Sequence, residues 1–250
     1  MLNNFVLRLN RIKFTKQLDI MALRPKNQIT PQTVTEPELT REHIIDLYMD
    51  HVLEYGERPK SVYKFAVDNG MKEADFYQFF GSFGGLREQI WVSFYHNTIN
   101  VLHKDTNYAG YSNREKMLSF FFTFFELLTA NRSYVLFTLQ EHKSNMKGME
   151  QLKKLRFEVK EYAEDLIEQG NEEKNYKVTK NPVRIFSEGA WLQMLFLLKY
   201  WMDDNSAGFE KTDIAIEKSV KAIFDVFETT PLESIIDFGK FLFKERFAKS

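Results

Sequence analysis

Polar side chains between residues 60 and 78 are of the types that proteins use to bind nucleic acids. Ammonium and hydroxyl groups contact phosphate oxygens, whereas amide and carboxylate groups pair with the edges of bases. In this stretch a glutamine could bind an adenine edge, and an aspartate could accept a hydrogen bond from cytosine. The candidate DNA contacts are Lys60, Ser61, Lys64, Lys72, Asp75, Tyr77 and Gln78.

The net charge of the surrounding sequence opposes this function. Residues 40–99 contain six basic and nine acidic residues, which leaves a net charge of −3, and the whole chain carries −1. DNA binding requires cations that displace counterions from the phosphate backbone. Any binding must therefore come from a local patch, in which Lys60, Lys64 and Lys72 supply the positive charge.

Residues suited to catalysis or metal binding form no recognisable pattern. The chain has no Cys, which excludes disulfides and thiol catalysis, and its five His lack metal-ligand spacing such as H-E-x-x-H. The glycines of "GSFGGL" lack the preceding strand and the Lys of a phosphate-binding loop. We therefore expect a protein that is not an enzyme, with no catalytic residue, no metal and no cofactor. The lack of Cys and of an apolar run of roughly 18 residues predicts a cytoplasmic protein.

Capping residues and glycines predict the helices that position the candidate contacts. Thr40 is a suitable N-cap for a helix that Gly56 ends, and Ser61 is a suitable N-cap for a short second helix. Gly70 can adopt the left-handed conformation of a tight turn. Together these signals predict a helix-turn-helix, the element that usually enters the major groove of DNA.

The turn at Gly70 is followed by a predicted helix over 72–80 and by a longer helix from Ser82 to about residue 102. Helical spacing places the aromatic residues of the 72–80 helix on its inner face. The side chains expected to face inward are Phe76, Tyr77 and Phe80.

Residues 61–86, "SVYKFAVDNGMKEADFYQFFGSFGGL", resemble the DNA-binding signature of TetR-family repressors, and residues 201–227 are similar to the late helices of many members. The positions that carry the first resemblance are Phe65-Ala66, Gly70, Phe76-Tyr77, Phe80, Ser82 and Leu86. The chain departs from the family pattern at Asp75, where a small hydroxyl residue is usual, and at Phe83. The family has Lys at the Phe83 position, where it normally pairs with a phosphate.

The resemblance implies an all-α, TetR-like fold. It implies a helix-turn-helix DNA-binding domain over 40–86 and a larger helical ligand-binding and dimerisation domain over 87–228. A protein of this kind is a homodimeric transcriptional regulator, a repressor, that binds a double-stranded DNA operator and responds to an apolar small-molecule effector. The helices near 183–203 and 212–228 are expected to form the dimer interface.

The region that would form the sensor domain is rich in aromatic and aliphatic side chains, and the chain as a whole contains 24 Phe. Two interpretations remain open, a densely packed core and a cavity for an apolar ligand. The residues that would line such a cavity are Phe121, Phe125, Tyr134, Phe137, Phe186, Trp191 and Met194. Polar anchors for the ligand could be His142, Tyr134 or Gln193.

The two ends of the chain differ from the rest. Residues 1–39 read as a disordered or flexible extension, although a basic DNA arm, a targeting segment or a leader ahead of Met21 would also explain their composition. Residues 229–250 predict an extra amphipathic helix, which could cover the core or, through 232–250, lie on an anionic membrane surface. This second possibility supports an alternative function, that of a TetR-fold lipid- or isoprenoid-binding accessory protein that has lost DNA binding.

Overall fold

The computed structural model describes residues 39–140, 150–172 and 183–229, and within these ranges the chain is all-helical, with no strand. The predicted all-α fold is confirmed. The α-helices of the described ranges are α1 (Arg41–Tyr55), α2 (Val62–Asp68), α3 (Glu73–Phe79), α4 (Phe83–His103), α5 (Asn113–Ala130), α6 (Arg132–Gln140), α7 (Lys153–Glu172), α8 (Val183–Asp203) and α9 (Glu210–Thr229). Short 3-10 helices occupy Tyr108–Gly110 and Ala207–Phe209.

The helix boundaries of α1–α4 follow the predicted capping residues. Gly56 ends α1 with φ 64°, and Gly70 makes the turn between α2 and α3 with φ 69°, a left-handed conformation that suits glycine. The Ser61 hydroxyl accepts a hydrogen bond from the backbone N–H of Lys64 at 3.1 Å. The Ser82 hydroxyl accepts one from the N–H of Gly85 at 3.1 Å. Each serine therefore satisfies a backbone donor that a helix start leaves without a partner.

A cluster of aromatic rings holds α1, α2, α3 and the start of α4 together. The ring of Phe83 lies 5.4 Å from that of Tyr48, 5.6 Å from that of Phe65 and 5.3 Å from that of Phe76, measured between centroids. Tyr48, Phe65 and Phe76 are fully buried. The contacts of Phe83 with Phe65 and Phe76 are edge-on, and such contacts stabilise a core beyond the area that they bury. We call these four residues the head cluster, and α1–α3 the head.

Of the three aromatic residues that were predicted to face inward from the third helix, two do so. Phe76 and Phe80 are buried, but Tyr77 is 50% exposed. The prediction for Tyr77 was therefore wrong, because a seven-residue helix packed along one stripe cannot bury two adjacent rings on the same side.

The helices α4–α9 form a bundle, and α6 also packs against α1 of the head. The hairpin of α4 and α5 packs against α7 and α9, and α8 packs on both α7 and α9. The largest fully buried side chains of the bundle are Trp91, Phe120, Phe121, Phe124, Tyr134, Phe186 and Trp201. None of the helices in the described ranges is long and apolar enough to cross a membrane.

An arginine from another helix stabilises the corner between α8 and α9. Arg132, the first residue of α6, donates hydrogen bonds to the carbonyl oxygens of Trp201, Met202 and Asp204 at 3.0, 3.2 and 3.3 Å. Its guanidinium carbon lies 4.4 Å from the ring centroid of Trp201 and 4.5 Å from that of Phe209. Arg132 thus caps the carbonyl end of α8 and joins it to the start of α6.

Candidate functional site

Most of the predicted DNA contacts lie on the exposed surface of the head. The side chains of Lys60, Ser61, Lys64, Lys72, Tyr77 and Gln78 are exposed, and that of Asp75 is half-buried. They come from the residues just before α2, from α2 itself and from α3, the second helix of the helix-turn-helix. The head therefore presents these groups to solvent, where a duplex could reach them.

The three lysines of this surface are not equally available for phosphate. The Lys64 ammonium lies 2.5 Å from the Asp68 carboxylate, one turn along α2. Among the ion pairs of the described residues, none includes Lys60 or Lys72. The patch therefore offers two ammonium groups outside these ion pairs, and a third, that of Lys64, which would have to leave the Asp68 carboxylate to contact a phosphate.

Asp75 has a structural role that accounts for its departure from the family pattern. Its carboxylate accepts a hydrogen bond from the backbone N–H of Lys72 at 2.9 Å, at the start of α3. The start of a helix has backbone donors without intrahelical partners and a partial positive charge, and a carboxylate there satisfies both. Asp75 therefore stabilises the helix that would enter the groove, at the cost of a negative charge on its surface.

Phe83 also has a structural role, since its ring belongs to the head cluster. A lysine at this position, at the start of α4, would present an ammonium group to phosphate; the phenylalanine packs against three other rings instead. The half-buried Phe83 side chain thus contributes to ring packing at this position.

Tyr77 retains a hydroxyl group suited to a phosphate contact. The hydroxyl donates a hydrogen bond to the Glu73 carboxylate at 3.3 Å. Partial desolvation and this carboxylate raise the pKa of Tyr77 above its ordinary value. The hydroxyl therefore remains protonated at neutral pH and can donate to another anion if the long contact with Glu73 is released.

The predicted cavity residues of the bundle are mostly packed among other side chains. Phe121, Tyr134 and Met194 are fully buried, and Phe125 and Phe186 nearly so. Trp191 is 7% exposed, and Phe137 is half-buried.

Two of these residues contact rings outside the predicted set. Phe125 faces Trp201, which the sequence analysis did not single out, at a centroid distance of 6.3 Å, whereas Phe186 faces Phe224 at 5.4 Å. The amide of Gln193, a predicted anchor, donates to the Ser219 hydroxyl at 2.9 Å, and Tyr134 is buried. His142 and the predictions for residues 1–38 and 230–250 lie outside the described residues.

A pocket of about 440 Å³ lies at the corner where α8 turns into α9, away from the predicted cavity residues. We call it the corner pocket. Its lining residues are Phe196, Lys199, Tyr200, Asp203, Asp204, Asn205 and Lys211. None of them was predicted as a ligand contact, because the sequence shows an apolar helix followed by a polar turn and does not show that the two enclose a space.

Two acidic residues of the corner pocket already have partners. Asp203 forms an ion pair with Lys199, one turn earlier on α8. The Asp204 carboxylate accepts hydrogen bonds from the N–H and hydroxyl of Ser206, at 2.8 and 2.6 Å, and from those of Thr212, at 2.9 and 2.7 Å. Burial raises the pKa of Asp204, but these hydrogen bonds outweigh it and lower the pKa to about 2. Asp204 is therefore a charged cap of α9 at neutral pH.

Within the described ranges, no three His, Asp or Glu side chains come close enough together to hold a metal ion.

Comparison with known families gives one match. The sequence model of a family described as tetracyclin repressor-like, C-terminal domain, matches residues 116–242, which are 127 of the 250 residues. The match begins in α5 and runs past the last described helix, so that it includes the start of the predicted C-terminal amphipathic segment. Among curated proteins, no sequence matches the chain.

Proposed function

The chain belongs to the tetracyclin repressor-like family, and on this basis we propose that it is a DNA-binding transcriptional repressor that responds to a small molecule. The family match covers the bundle and leaves the head outside it. The DNA-binding part of the proposal therefore depends on what the head itself presents.

The observation that carries the proposal is the geometry of α2, the Gly70 turn and α3. The turn is tight, α3 is capped at its start, and the outer side of α3 exposes Tyr77 and Gln78 beside Lys72. A hydroxyl, an amide and an ammonium group on one short exposed helix are suited to phosphate and base-edge contacts in a major groove. We infer that Lys60 and Lys72 supply the electrostatic attraction and that Gln78 reads a base.

The exposed face of α8 supports the proposal that the protein acts as a homodimer. Leu192, Phe196 and Tyr200 follow one another at four-residue spacing and are 65%, 53% and 38% exposed. Ile214 and Val226 of α9 are 49% and 44% exposed. Large apolar side chains in such a stripe are typical of a helix face that a partner covers. A twofold dimer would hold two recognition helices about one turn of DNA, roughly 34 Å, apart.

Selection from a pool of random duplexes tests the proposal directly. The purified protein is incubated with the pool at low salt, and the retained duplexes are sequenced over successive rounds. We expect a palindromic site to be enriched, since a twofold dimer reads two equal half-sites. Gln78→Ala should relax the preference at one position of each half-site, whereas Lys72→Ala should weaken binding to all sequences. If the sequences of the pool stay random through every round, sequence-specific DNA binding is refuted.

A second candidate function is that of a lipid- or isoprenoid-binding accessory protein that has lost DNA binding. The positions of Asp75 and Phe83 favour it, because both departures from the family pattern remove a DNA contact and serve the fold instead. In that case the wild-type protein would bind no duplex, and deletion of residues 232–250 would abolish binding to vesicles of anionic lipid. Wild-type protein that binds a specific duplex and ignores the vesicles would exclude this alternative.

A further inference from the structure

The corner pocket has the volume of a small-molecule site and a lining that is mostly charged and polar. Its volume of about 440 Å³ falls in the range of ligand pockets in proteins. Phe196 and Tyr200 form an aromatic wall, with ring centroids 6.1 Å apart and planes tilted by 43°. Each ring is more than a third exposed, so each leaves apolar surface that a ligand could cover.

The charges around the pocket leave one cation without a carboxylate partner. Lys199 is paired with Asp203, and the oxygens of Asp204 are occupied by Ser206 and Thr212. Among the ion pairs of the described residues, none includes Lys211, whose side chain is exposed. The pocket thus combines an aromatic wall with one available ammonium group, while Asp204 remains ionised and the charges of the four charged lining residues sum to zero. An organic anion with a flat apolar body would therefore bind through direct contact with Lys211.

The open side of the pocket lies on the stripe that we assign to the dimer interface. Phe196 and Tyr200 line the pocket, and Leu192, one turn earlier on α8, continues the same exposed stripe without lining it. A second copy packed on this stripe would close the pocket and exclude water from it. An ion pair formed between a ligand and Lys211 would then be stronger than at an open surface, because the local dielectric constant would be lower.

The wall of the pocket is also connected to the head. The carbonyl oxygen of Asp204 accepts a hydrogen bond from Arg132, which begins α6, and α6 packs against α1. The neighbouring Phe209 has φ 58°, a left-handed conformation that is strained for a bulky side chain. A ligand that moves this corner would therefore act on a strained turn that is hydrogen-bonded to the start of α6.

We propose that the corner pocket binds an organic anion with a flat apolar body, and that a second copy of the chain completes the site. The proposal rests on the proposed function where it uses the homodimer and where it makes this ligand the effector of DNA binding. It differs from the cavity predicted inside the bundle, since its lining comes from the end of α8 and the start of α9.

Two fluorescent probes of matched shape test the charge and the wall of the site. Anilinonaphthalene sulfonate has an aromatic body and one negative charge, whereas N-phenylnaphthylamine has the same rings and no charge. Lys211→Met should weaken binding of the sulfonate by about tenfold, the effect of one charge-assisted contact, and leave the neutral probe unchanged. Lys218→Met, on the exposed side of α9, is the matched control and should change neither affinity.

The aromatic wall is tested by Phe196→Ala, which should weaken the binding of both probes. Phe157→Ala removes an exposed phenylalanine, 66% exposed, from α7 and should leave the binding of both probes unchanged. Circular dichroism and thermal melting of each variant check that its fold is intact, because such probes also bind to a loosened core. Equal dissociation constants for the sulfonate in wild type, Lys211→Met and Phe196→Ala would overturn the assignment of the site.

The contribution of the second copy is tested by Leu192→Glu, which alters the stripe without altering the pocket lining. We expect this variant to sediment as a monomer and to lose most of its affinity for both probes. A folded monomer that binds them as tightly as wild type, or a variant that remains dimeric, would overturn the shared site.

Duplex binding measured on the same proteins separates the two proposals. If the substitutions change the probe affinities as expected but no protein binds a duplex, the site is supported and the repressor function is refuted. If wild type binds a specific duplex but the substitutions of Lys211 and Phe196 leave the probe affinities unchanged, the site is refuted and the repressor function is supported.

Discussion

Asp75 shows how a single residue can serve the fold and weaken the function that the fold suggests. Its carboxylate caps α3 through the N–H of Lys72, and it places a negative charge on the helix that would face phosphates. A substitution of Asp75 by asparagine removes the charge and keeps the hydrogen bond, because an asparagine oxygen also accepts a hydrogen bond at a helix start. The effect of the hydrogen bond on stability and the effect of the charge on DNA affinity can therefore be measured independently.

We predict that Asp75→Asn keeps most of the stability of the protein and strengthens binding to any duplex, since it retains the acceptor and removes a like charge. Asp75→Ala also removes the charge but leaves the N–H without its partner, so it should lower the free energy of unfolding by about 1 kcal/mol. Urea unfolding and fluorescence anisotropy with a labelled duplex measure the two quantities. Unchanged duplex affinity in both variants would show that Asp75 does not face DNA.

Asp204 gives a prediction that depends on pH. Its pKa in the folded protein, about 2, lies below the ordinary value of 3.8. The stabilisation that the carboxylate provides is therefore complete above about pH 4 and is lost as the pH falls towards 2. Asp204→Asn should lower the free energy of unfolding at pH 7 by about 1–3 kcal/mol, as expected for hydrogen bonds to a charged group, and should flatten the acid dependence. If the free energy of unfolding of wild type and of Asp204→Asn falls in the same way as the pH is lowered, the stabilising role of the Asp204 carboxylate is contradicted.

Among the elements, α4 begins with a residue of the head cluster. Phe83 contacts rings from α1, α2 and α3, so its replacement affects the packing of all three helices. Phe83→Lys, which restores the residue usual in the family, should lower the free energy of unfolding by about 1–2 kcal/mol, less than the cost of removing a fully buried ring, because Phe83 is half-buried. Phe83→Leu should cost less because it fills more of the same space. Thermal melting measures both, and a Phe83→Lys protein as stable as wild type would show that the ring contributes little.

The sequence predicted the elements better than it predicted their surfaces. Ser61, Gly70 and Ser82 act through their own backbone neighbours, so local rules located the helix boundaries around them. The exposure of Tyr77 and the membership of Phe83 in the head cluster depend on which helices meet, and that is not a local property. The corner pocket was not predicted for the same reason, since Tyr200 and Lys211 border one space only after α8 has turned into α9.

At the scale of the whole molecule, the dimer proposal depends on the outer face of α8. The sequence predicted an interface there from the apolar composition between Ala190 and Trp201, but Leu198 of that segment lies in the core. The exposed residues Leu192 and Phe196 are therefore the informative ones to change.

We predict that Leu192→Glu combined with Phe196→Glu gives a folded monomer, because charges on both sides of a twofold interface repel and cannot be solvated there. Phe157→Glu, which changes an exposed ring on α7, should remain dimeric. Sedimentation at micromolar concentration measures the outcome. A wild-type protein that sediments as a monomer would contradict the proposed interface.

The central claim, that the head binds DNA through its few available lysines, is tested most directly by the salt dependence of duplex binding. Lys60 and Lys72 in each of two subunits give a predicted slope of about −4 for the logarithm of the association constant against the logarithm of salt concentration. Lys72→Ala should reduce its magnitude by about two, whereas Lys64→Ala, at a position already paired with Asp68, should change it less. No duplex binding by wild type at about 50 mM salt, or a slope that Lys72→Ala leaves unchanged, would contradict the claim.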